Sequence, residues 1–346
     1  MIPAQHHQQS GALRKQVLQL PLFLLMFGVA SLAMLVPAIH GSVTRELAAA
    51  RAFFYSGVLG LIIFTLIAIA HAGRQPRHGA LGPLLSLLSA FVFLPVILAI
   101  PFYEALQTTS FLNAYLEMVS AITTTGATVF DRPERLVGTL HLWRAEVGWL
   151  GGLLMWIAAS ALLAPMNLGG FEVTAQAEPG RLESLNVMDR TDPRERLVRV
   201  IGALFPIYIG LTLLLWTLLM ASGDRSLVAL SHAMSVMATS GISPVGGVEQ
   251  GLSGIPGEAV MMLFMLFALS RLTFSSDTIT ATQGGLRTDP EFRIGMALVV
   301  GVPLVLFIRH WMGAYDVSMA ENVAQGARAL WGSVFTVMSF LTTTGF

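Results

Sequence analysis

The sequence contains no cysteine, and only 12% of its residues are charged. Without cysteine the chain forms no disulfide, thiolate metal site or redox thiol. A soluble domain carries roughly 25% charged residues, so the low charge and the 54% hydrophobic content indicate an integral membrane protein. The formal net charge of zero argues against nucleic-acid binding, because that function leaves a basic face on the protein.

Hydroxyl-rich runs containing glycine occur three times. They read Thr124-Thr125-Gly126-Ala127, Thr239-Ser240-Gly241-Ile242 and Thr343-Thr344-Gly345-Phe346, and their glycines are 115 and 104 residues apart. Successive carbonyls can point to one side only where a residue adopts angles that favour glycine, and K⁺ filters use a Thr-x-Gly pattern for this purpose. A single run would be more typical of a helix kink or packing site. Three such runs in one register predict a cation filter built from these twelve residues.

Apolar runs of about 20 residues are long enough to span a membrane. The sequence predicts seven spans, at Val17–Ile39, Ala52–Ala70, Leu84–Tyr103, Leu142–Pro165, Leu197–Met220, Ala259–Thr273 and Ile294–Trp311. Three further helical segments, Thr109–Ile122, Ser226–Ala238 and Gln325–Phe340, are too short or too polar to span. Each precedes a glycine run, which is typical of a re-entrant half-helix.

The order of these segments predicts an all-α polytopic membrane protein built from repeats of helix, half-helix, glycine loop and helix. Residues 1–80 hold two leading transmembrane helices, and 81–165 form the first pore repeat. A cytoplasmic loop over 166–196 precedes the second repeat, 197–281. Residues 292–346 form part of a third.

The distribution of basic residues predicts a cytoplasmic N-terminus, which places all three glycine loops at the outer side. Eleven of the 20 Arg and Lys residues then lie inside, a weak positive-inside signal. The eleven are Arg14, Lys15, Arg74, Arg77, Arg181, Arg190, Arg194, Arg196, Arg199, Arg287 and Arg293.

Three stretches together resemble the TrkH family of bacterial potassium-uptake subunits, within the Trk/Ktr/HKT superfamily of K⁺ transporters. The segment from Glu117 to Thr128 is similar to the family's first pore helix and filter. The segment 148–152, Gly-Trp-Leu-Gly-Gly, with 165–170 resembles the following helix, and 289–293, Asp-Pro-Glu-Phe-Arg, resembles the start of the third repeat. The resemblance covers nearly the whole chain.

The resemblance implies four pore repeats around a pseudo-fourfold axis, a homodimer, and a cytosolic nucleotide-binding regulatory ring of the TrkA type. It also implies location in the bacterial inner membrane. Relatives with serine at the first filter glycine tend to pass Na⁺, so glycine at Gly126, Gly241 and Gly345 favours K⁺. The second filter departs from the family's Gly-Gly-Phe pattern. Because the last helix of repeat three and all of repeat four are missing after Phe346, we expect a truncated pore.

Charged residues at membrane depth are further candidates. Arg271 interrupts an apolar run, where a charge needs protein or water partners. It is predicted either to form a structural ion pair, with Asp277 nearby, or to exert electrostatic control below the filter. Glu117, in the first half-helix, is predicted to brace the filter loop by accepting backbone hydrogen bonds, or else to raise the local cation concentration.

The pattern points to K⁺ uptake through a carbonyl-lined filter, with no catalytic residues and no cofactor on the chain. The only metal expected is K⁺ as the transported ion, at the filter residues. Three alternatives stay open: a Na⁺ or mixed Na⁺/K⁺ transporter of the same fold, an intramembrane enzyme, and a non-conducting membrane subunit.

Overall fold

The computed structural model describes residues 20–71, 81–163, 193–269, 290–313 and 319–346. Within these ranges the structure is helical and contains no strand, which confirms the all-α class. Eleven α-helices lie in the described residues. They are α1 Leu22–Ala33, α2 Leu35–Val43, α3 Leu47–His71, α4 Leu81–Leu106, α5 Phe111–Ile122, α6 Gly138–Ala158, α7 Pro193–Ala221, α8 Ser226–Ala238, α9 Gly254–Met265, α10 Pro290–Gly313 and α11 Met319–Leu341.

Five segments of the described chain are long and apolar enough to cross a membrane, so the protein is a multi-pass membrane protein. They are Leu22–Val43, Leu47–His71, Leu84–Leu106, Arg196–Ala221 and Pro290–Arg309. These match five of the seven predicted spans.

The other two predicted spans form α6 and α9. Helix α6 carries Arg144 and Glu146, which lower its hydropathy, yet most of its length is buried by other helices. The protein, rather than lipid, therefore surrounds the charges of α6. Helix α9 has only 12 residues and continues into a 3₁₀ turn, Leu266–Leu269.

The three predicted half-helices are α5, α8 and α11. Helix α8 has the predicted bounds. Helix α5 begins two residues later than predicted, because the Ser110 hydroxyl accepts the backbone N–H of Asn113 at 3.2 Å and caps the first turn. Helix α11 begins at Met319, before the predicted Gln325, and has 23 residues.

Two hydrophobic cores meet at α6. The first joins α1 to α6 and includes Trp143, whose indole N–H donates to the Leu98 carbonyl at 3.1 Å and whose ring lies 5.3 Å from that of Phe53. The second joins α6 through α11 and includes Leu153, Leu215 and Met338. Helix α6 therefore connects the first repeat to the second.

The turn between α2 and α3 holds the start of α6. The carboxylate of Glu46 accepts the backbone N–H groups of Gly138 at 3.1 Å and Thr139 at 2.8 Å. Val137, at the N-cap position of α6, makes no side-chain cap. Glu46 therefore satisfies N–H groups at the helix start, and its charge also complements the helix dipole there.

Candidate functional site

All three half-helices end in the same backbone motif. The N–H of Thr125 donates to the Ser120 carbonyl, that of Ser240 to Ser235, and that of Thr344 to Ser339, each at 2.9 Å. A second bond in each turn runs from the preceding threonine N–H to the carbonyl three residues earlier. This pair of bonds defines a Schellman motif, which ends a helix with a left-handed residue.

The left-handed residue is a threonine in every copy, although glycine is usual at this position. The φ angles are +54° for Thr124, +49° for Thr239 and +57° for Thr343. A non-glycine residue in this region costs of order 1 kcal/mol or more and persists where the surrounding structure enforces it. Such strain recurring in three copies is typical of a functional segment.

A second left-handed residue follows two positions later, at the filter glycines. Gly126 has φ +73°, Gly241 +62° and Gly345 +78°. The left-handed residues are therefore separated by one residue without positive φ, so the backbone alternates in handedness. A backbone that alternates in handedness allows successive carbonyls to face one side of a loop, as a carbonyl-lined ion path requires.

The three glycine loops lie side by side in a fixed order. We call them loop 1 (Thr124–Ala127), loop 2 (Thr239–Ile242) and loop 3 (Thr343–Phe346). A Cβ atom added to Gly126 would overlap the carbonyl oxygen of Ser240, and one added to Gly241 would overlap that of Thr344. In loops 1 and 2 the glycine therefore lies against a carbonyl of the next loop. That carbonyl belongs to the residue just before the next loop's own glycine. The two contacts are equivalent, as rotation about one axis would make them.

The open ends of this row lie at Gly345 and Thr125. A Cβ at Gly345 would meet none of the described residues within 4 Å. Thr125 is exposed, whereas its counterparts Ser240 and Thr344 are 1% and 2% exposed. Three adjacent loops therefore leave a gap in which the glycine of loop 3 and the Thr125 region of loop 1 lack a neighbour among the described residues.

The residues that follow the glycines differ in environment. Ala127 is exposed, whereas Ile242 belongs to the core of the first repeat. Phe346 lies against the core of the second repeat. Loops 2 and 3 therefore each anchor this side chain in the core of the preceding repeat.

Threonine hydroxyls line two of the loops in pairs. Thr123 and Thr125 share a hydrogen bond of 2.8 Å between their hydroxyls, and Thr342 and Thr344 share an equivalent bond of 2.8 Å. In the second loop the pairing changes, because Ala238 replaces the first threonine. The Ser240 hydroxyl there donates to the Ser235 hydroxyl at 3.3 Å.

A serine six residues before each glycine ties the loop to its half-helix. The Ser120 hydroxyl donates to the Ala127 carbonyl at 2.6 Å, and the Ser339 hydroxyl accepts the Phe346 N–H at 2.8 Å. Ser235 bonds Ser240 instead. Our sequence reasoning missed these three serines, although their constant distance from the glycine was a visible signal.

Glu117 lies under the first loop and is 1% exposed. Its carboxylate forms an ion pair with the Arg144 guanidinium of α6, with Oε1 and Nε 2.6 Å apart. The other carboxylate oxygen accepts the N–H of Val129, just after the loop, at 3.1 Å. Glu117 thus joins the half-helix, α6 and the segment after the filter. No pattern in the sequence indicated Arg144 as the partner of Glu117.

Three glycines of α6 bring the helix against the ends of two half-helices. A Cβ at Gly151 would overlap the Ile122 carbonyl, and one at Gly152 would lie 2.9 Å from the Cα of Ala238. A Cβ at Gly148 would lie 2.8 Å from the Ile242 side chain. Small residues allow close backbone approach between membrane helices, so α6 forms the rigid wall behind loops 1 and 2.

Two predicted site residues, Arg271 and Asp277, lie outside the described residues. Within the described chain, no group of three or more His, Asp or Glu side chains could hold a metal ion. The oxygen atoms of the three loops are backbone carbonyls and hydroxyls, the ligand type suited to an alkali cation.

Half-helices followed by adjacent glycine loops, inside a bundle of spanning helices, define a pore-loop membrane protein. No family model matches the chain. It is 30% identical over 263 residues to the Trk system potassium uptake protein TrkI of Halomonas elongata, covering 75% of this chain and 48% of that protein. It is 28% identical over 237 residues to TrkH of the same organism, covering 68% and 46%.

The fold agrees with these relatives. The crystal structure of the potassium transporter TrkH from Vibrio parahaemolyticus superposes with a TM-score of 0.73 and 22% sequence identity, covering 93% of this chain and 63% of that one. The chain is therefore TrkH-like, which confirms the resemblance drawn from the filter motifs. It spans about half the length of the curated relatives it matches.

Proposed function

We propose that the chain is the ion-conducting subunit of a K⁺ uptake system in the bacterial inner membrane. The observation that carries the proposal is the geometry of the three loops. They share the same alternating backbone, and the glycines of loops 1 and 2 each contact the neighbouring carbonyl. The names of the relatives, potassium uptake proteins, support K⁺ as the ion.

In this proposal the carbonyl oxygens at the twelve filter positions replace the water that K⁺ loses on entering the pore. The half-helices also direct the partial negative charge of their C-terminal ends at the ion. The ion moves down its electrochemical gradient, so the protein needs no covalent chemistry and no cofactor. It is not an enzyme in this proposal.

A closed ring requires a fourth oxygen-bearing loop. Its place is the gap between loop 3 and loop 1, where a Cβ at Gly345 meets nothing among the described residues and Thr125 is exposed. We further propose a homodimer and a separate cytosolic nucleotide-binding regulatory ring, in line with the Trk system to which the relatives belong. The N-terminus lies in the cytoplasm in this arrangement.

The test is uptake of Rb⁺ and of Na⁺ by cells that carry the chain at its native locus, beside cells that lack it. We expect Rb⁺ uptake only with the chain. Gly126→Ser should lower the Rb⁺-to-Na⁺ ratio, because the new Cβ meets the Ser240 carbonyl and the position has positive φ. Gly202→Ser is the matched control, since a Cβ there meets nothing within 4 Å.

Equal uptake in cells with and without the chain would refute conduction and support the non-conducting subunit. Higher uptake of Na⁺ than of Rb⁺ by the unaltered chain would support the Na⁺ transporter of the same fold. A Gly126→Ser variant with the ratio of the Gly202→Ser control would show that the ion does not pass the first loop.

A further inference from the structure

The first two repeats each carry a buried polar side chain at the same position of the half-helix, a carboxylate in one and an imidazole in the other. Glu117 lies nine residues before Gly126, and His232 lies nine residues before Gly241. Glu117 is 1% exposed and His232 is 0% exposed. The two side chains therefore occupy equivalent positions on α5 and α8, under loops 1 and 2.

His232 contacts the segment that follows its own filter loop, as Glu117 does. The His232 Nε2 atom lies 2.9 Å from the Ser243 hydroxyl, two residues beyond Gly241. Ser243 in turn accepts the N–H groups of Val245 at 3.3 Å and Gly247 at 3.1 Å. His232 thus hydrogen-bonds the serine that makes the side-chain bonds of the turn after the second filter.

An acidic residue lies beside the histidine ring. The Asp224 carboxylate lies 4.0 Å from His232 Nδ1. It is itself held by the N–H and the hydroxyl of Ser253, each at 2.9 Å. At 4.0 Å the carboxylate lies beyond hydrogen-bond distance of Nδ1. The Nε2 atom and the Ser243 hydroxyl are within hydrogen-bond distance, and the same hydroxyl donates to the Gly247 carbonyl at 3.3 Å.

The opposite side of the ring meets the third loop. The edge contact between His232 and Phe346 has a centroid distance of 5.7 Å. Phe346 directly follows Gly345, and its N–H is bound by Ser339. His232 therefore contacts loop segments from two repeats at once.

We propose that His232 is a positioning residue that sets the ion selectivity of the second filter. It hydrogen-bonds Ser243, just after loop 2, and contacts Phe346 of loop 3, with the Asp224 carboxylate beside its ring. It is the repeat-two counterpart of Glu117, with an imidazole in place of the carboxylate. Binding groups act on their ligand when they are held within about 0.5 Å of the productive geometry, so a side chain that holds two filter segments can influence which cation they accept. The inference rests on the proposed K⁺ conduction.

The experiment compares Rb⁺ and Na⁺ uptake in cells carrying variants at the native locus, with uptake normalised to the amount of protein in the membrane. His232→Ala and Ser243→Ala should each lower the Rb⁺-to-Na⁺ ratio about fivefold, the equilibrium factor of one buried hydrogen bond. The double variant should match the single ones, because both remove the same contact.

Two further variants separate positioning from general damage. His232→Gln can still form a hydrogen bond with Ser243, so we expect its Rb⁺-to-Na⁺ ratio to stay close to that of the unaltered chain and above that of His232→Ala. If His232→Ala fails to insert into the membrane, Ser243→Ala and His232→Gln provide the comparison. Ser231→Ala is the matched control on the same half-helix, because the Ser231 hydroxyl is buried and has no hydrogen-bond partner. We expect its ratio to equal that of the unaltered chain.

A conducting wild type whose ratio is unchanged by His232→Ala and by Ser243→Ala would overturn the proposal and leave K⁺ conduction standing; if His232→Ala fails to insert, an unchanged ratio in Ser243→Ala alone would do so. An equal fall in Rb⁺ and Na⁺ uptake would also overturn it, since that is the result of a merely structural role. Absence of Rb⁺ uptake by the unaltered chain would instead refute the proposed function itself, and this inference with it.

Discussion

The buried ion pair between Glu117 and Arg144 gives a prediction with a definite magnitude. The side chains are 1% and 6% exposed, and the oxygen and nitrogen lie 2.6 Å apart. Replacing Glu117 by Gln keeps the shape and an acceptor for the Val129 N–H but leaves Arg144 as a buried charge without its counter-ion. Removing one partner of a buried pair costs about 3–5 kcal/mol.

The assay is thermal unfolding of the detergent-solubilised protein. At roughly 2 °C per kcal/mol for a chain of this size, Glu117→Gln should lower Tm by about 6–10 °C. Arg144→Met should lower it by a similar amount, because it leaves the Glu117 carboxylate buried alone. The double variant should recover most of the loss, since it buries no unpaired charge.

Glu134→Gln is the control, because Glu134 is exposed on the short turn after the first loop. We expect its Tm to change by about 1 °C or less. The reasoning would be refuted if the Tm loss of the double variant equalled the sum of the losses of Glu117→Gln and Arg144→Met. Additive losses would mean that the two charges do not stabilise each other.

Two predictions concern the support of the loops. Gly151→Ala should reduce the free energy of unfolding by about 1–3 kcal/mol, because its Cβ would overlap the Ile122 carbonyl. Its Tm and its K⁺ uptake should therefore fall together. Gly202→Ala is the control, since a Cβ there meets nothing, and both quantities should stay unchanged. Glu46→Gln should destabilise the protein by about 1–2 kcal/mol, because it weakens two charge-assisted hydrogen bonds at the start of α6. Glu104→Gln is its control, because Glu104 is exposed. A normal melting curve for either test variant would contradict the packing or capping argument.

Much of the architecture was readable from the sequence. Hydropathy predicted five segments that the structure forms as helices of spanning length. The periodic but short segments before the glycines predicted α5 and α8 almost to the residue. These features depend on local properties, namely the apolar run a membrane requires and the residue types that end a helix.

Helix α6 shows what a local reading leaves out. Its apolar run predicted a span, and the structure adds that α6 is a largely buried helix whose Arg144 pairs with Glu117. Window averages of hydropathy count Arg144 and Glu146 only as charges. They contain no information on the partner from another helix that makes the charges tolerable.

The sequence by itself determined that this is a membrane protein with three equivalent glycine loops, because composition and the Thr-x-Gly register are properties of the chain alone. Only the tertiary structure decided which loop lies beside which, through the contacts of Gly126 with Ser240 and of Gly241 with Thr344. It also decided which side chains hold those loops. Glu46 meets Gly138 and Thr139, and His232 meets Phe346, because folding brings distant segments into contact, and no local pattern specifies such pairs.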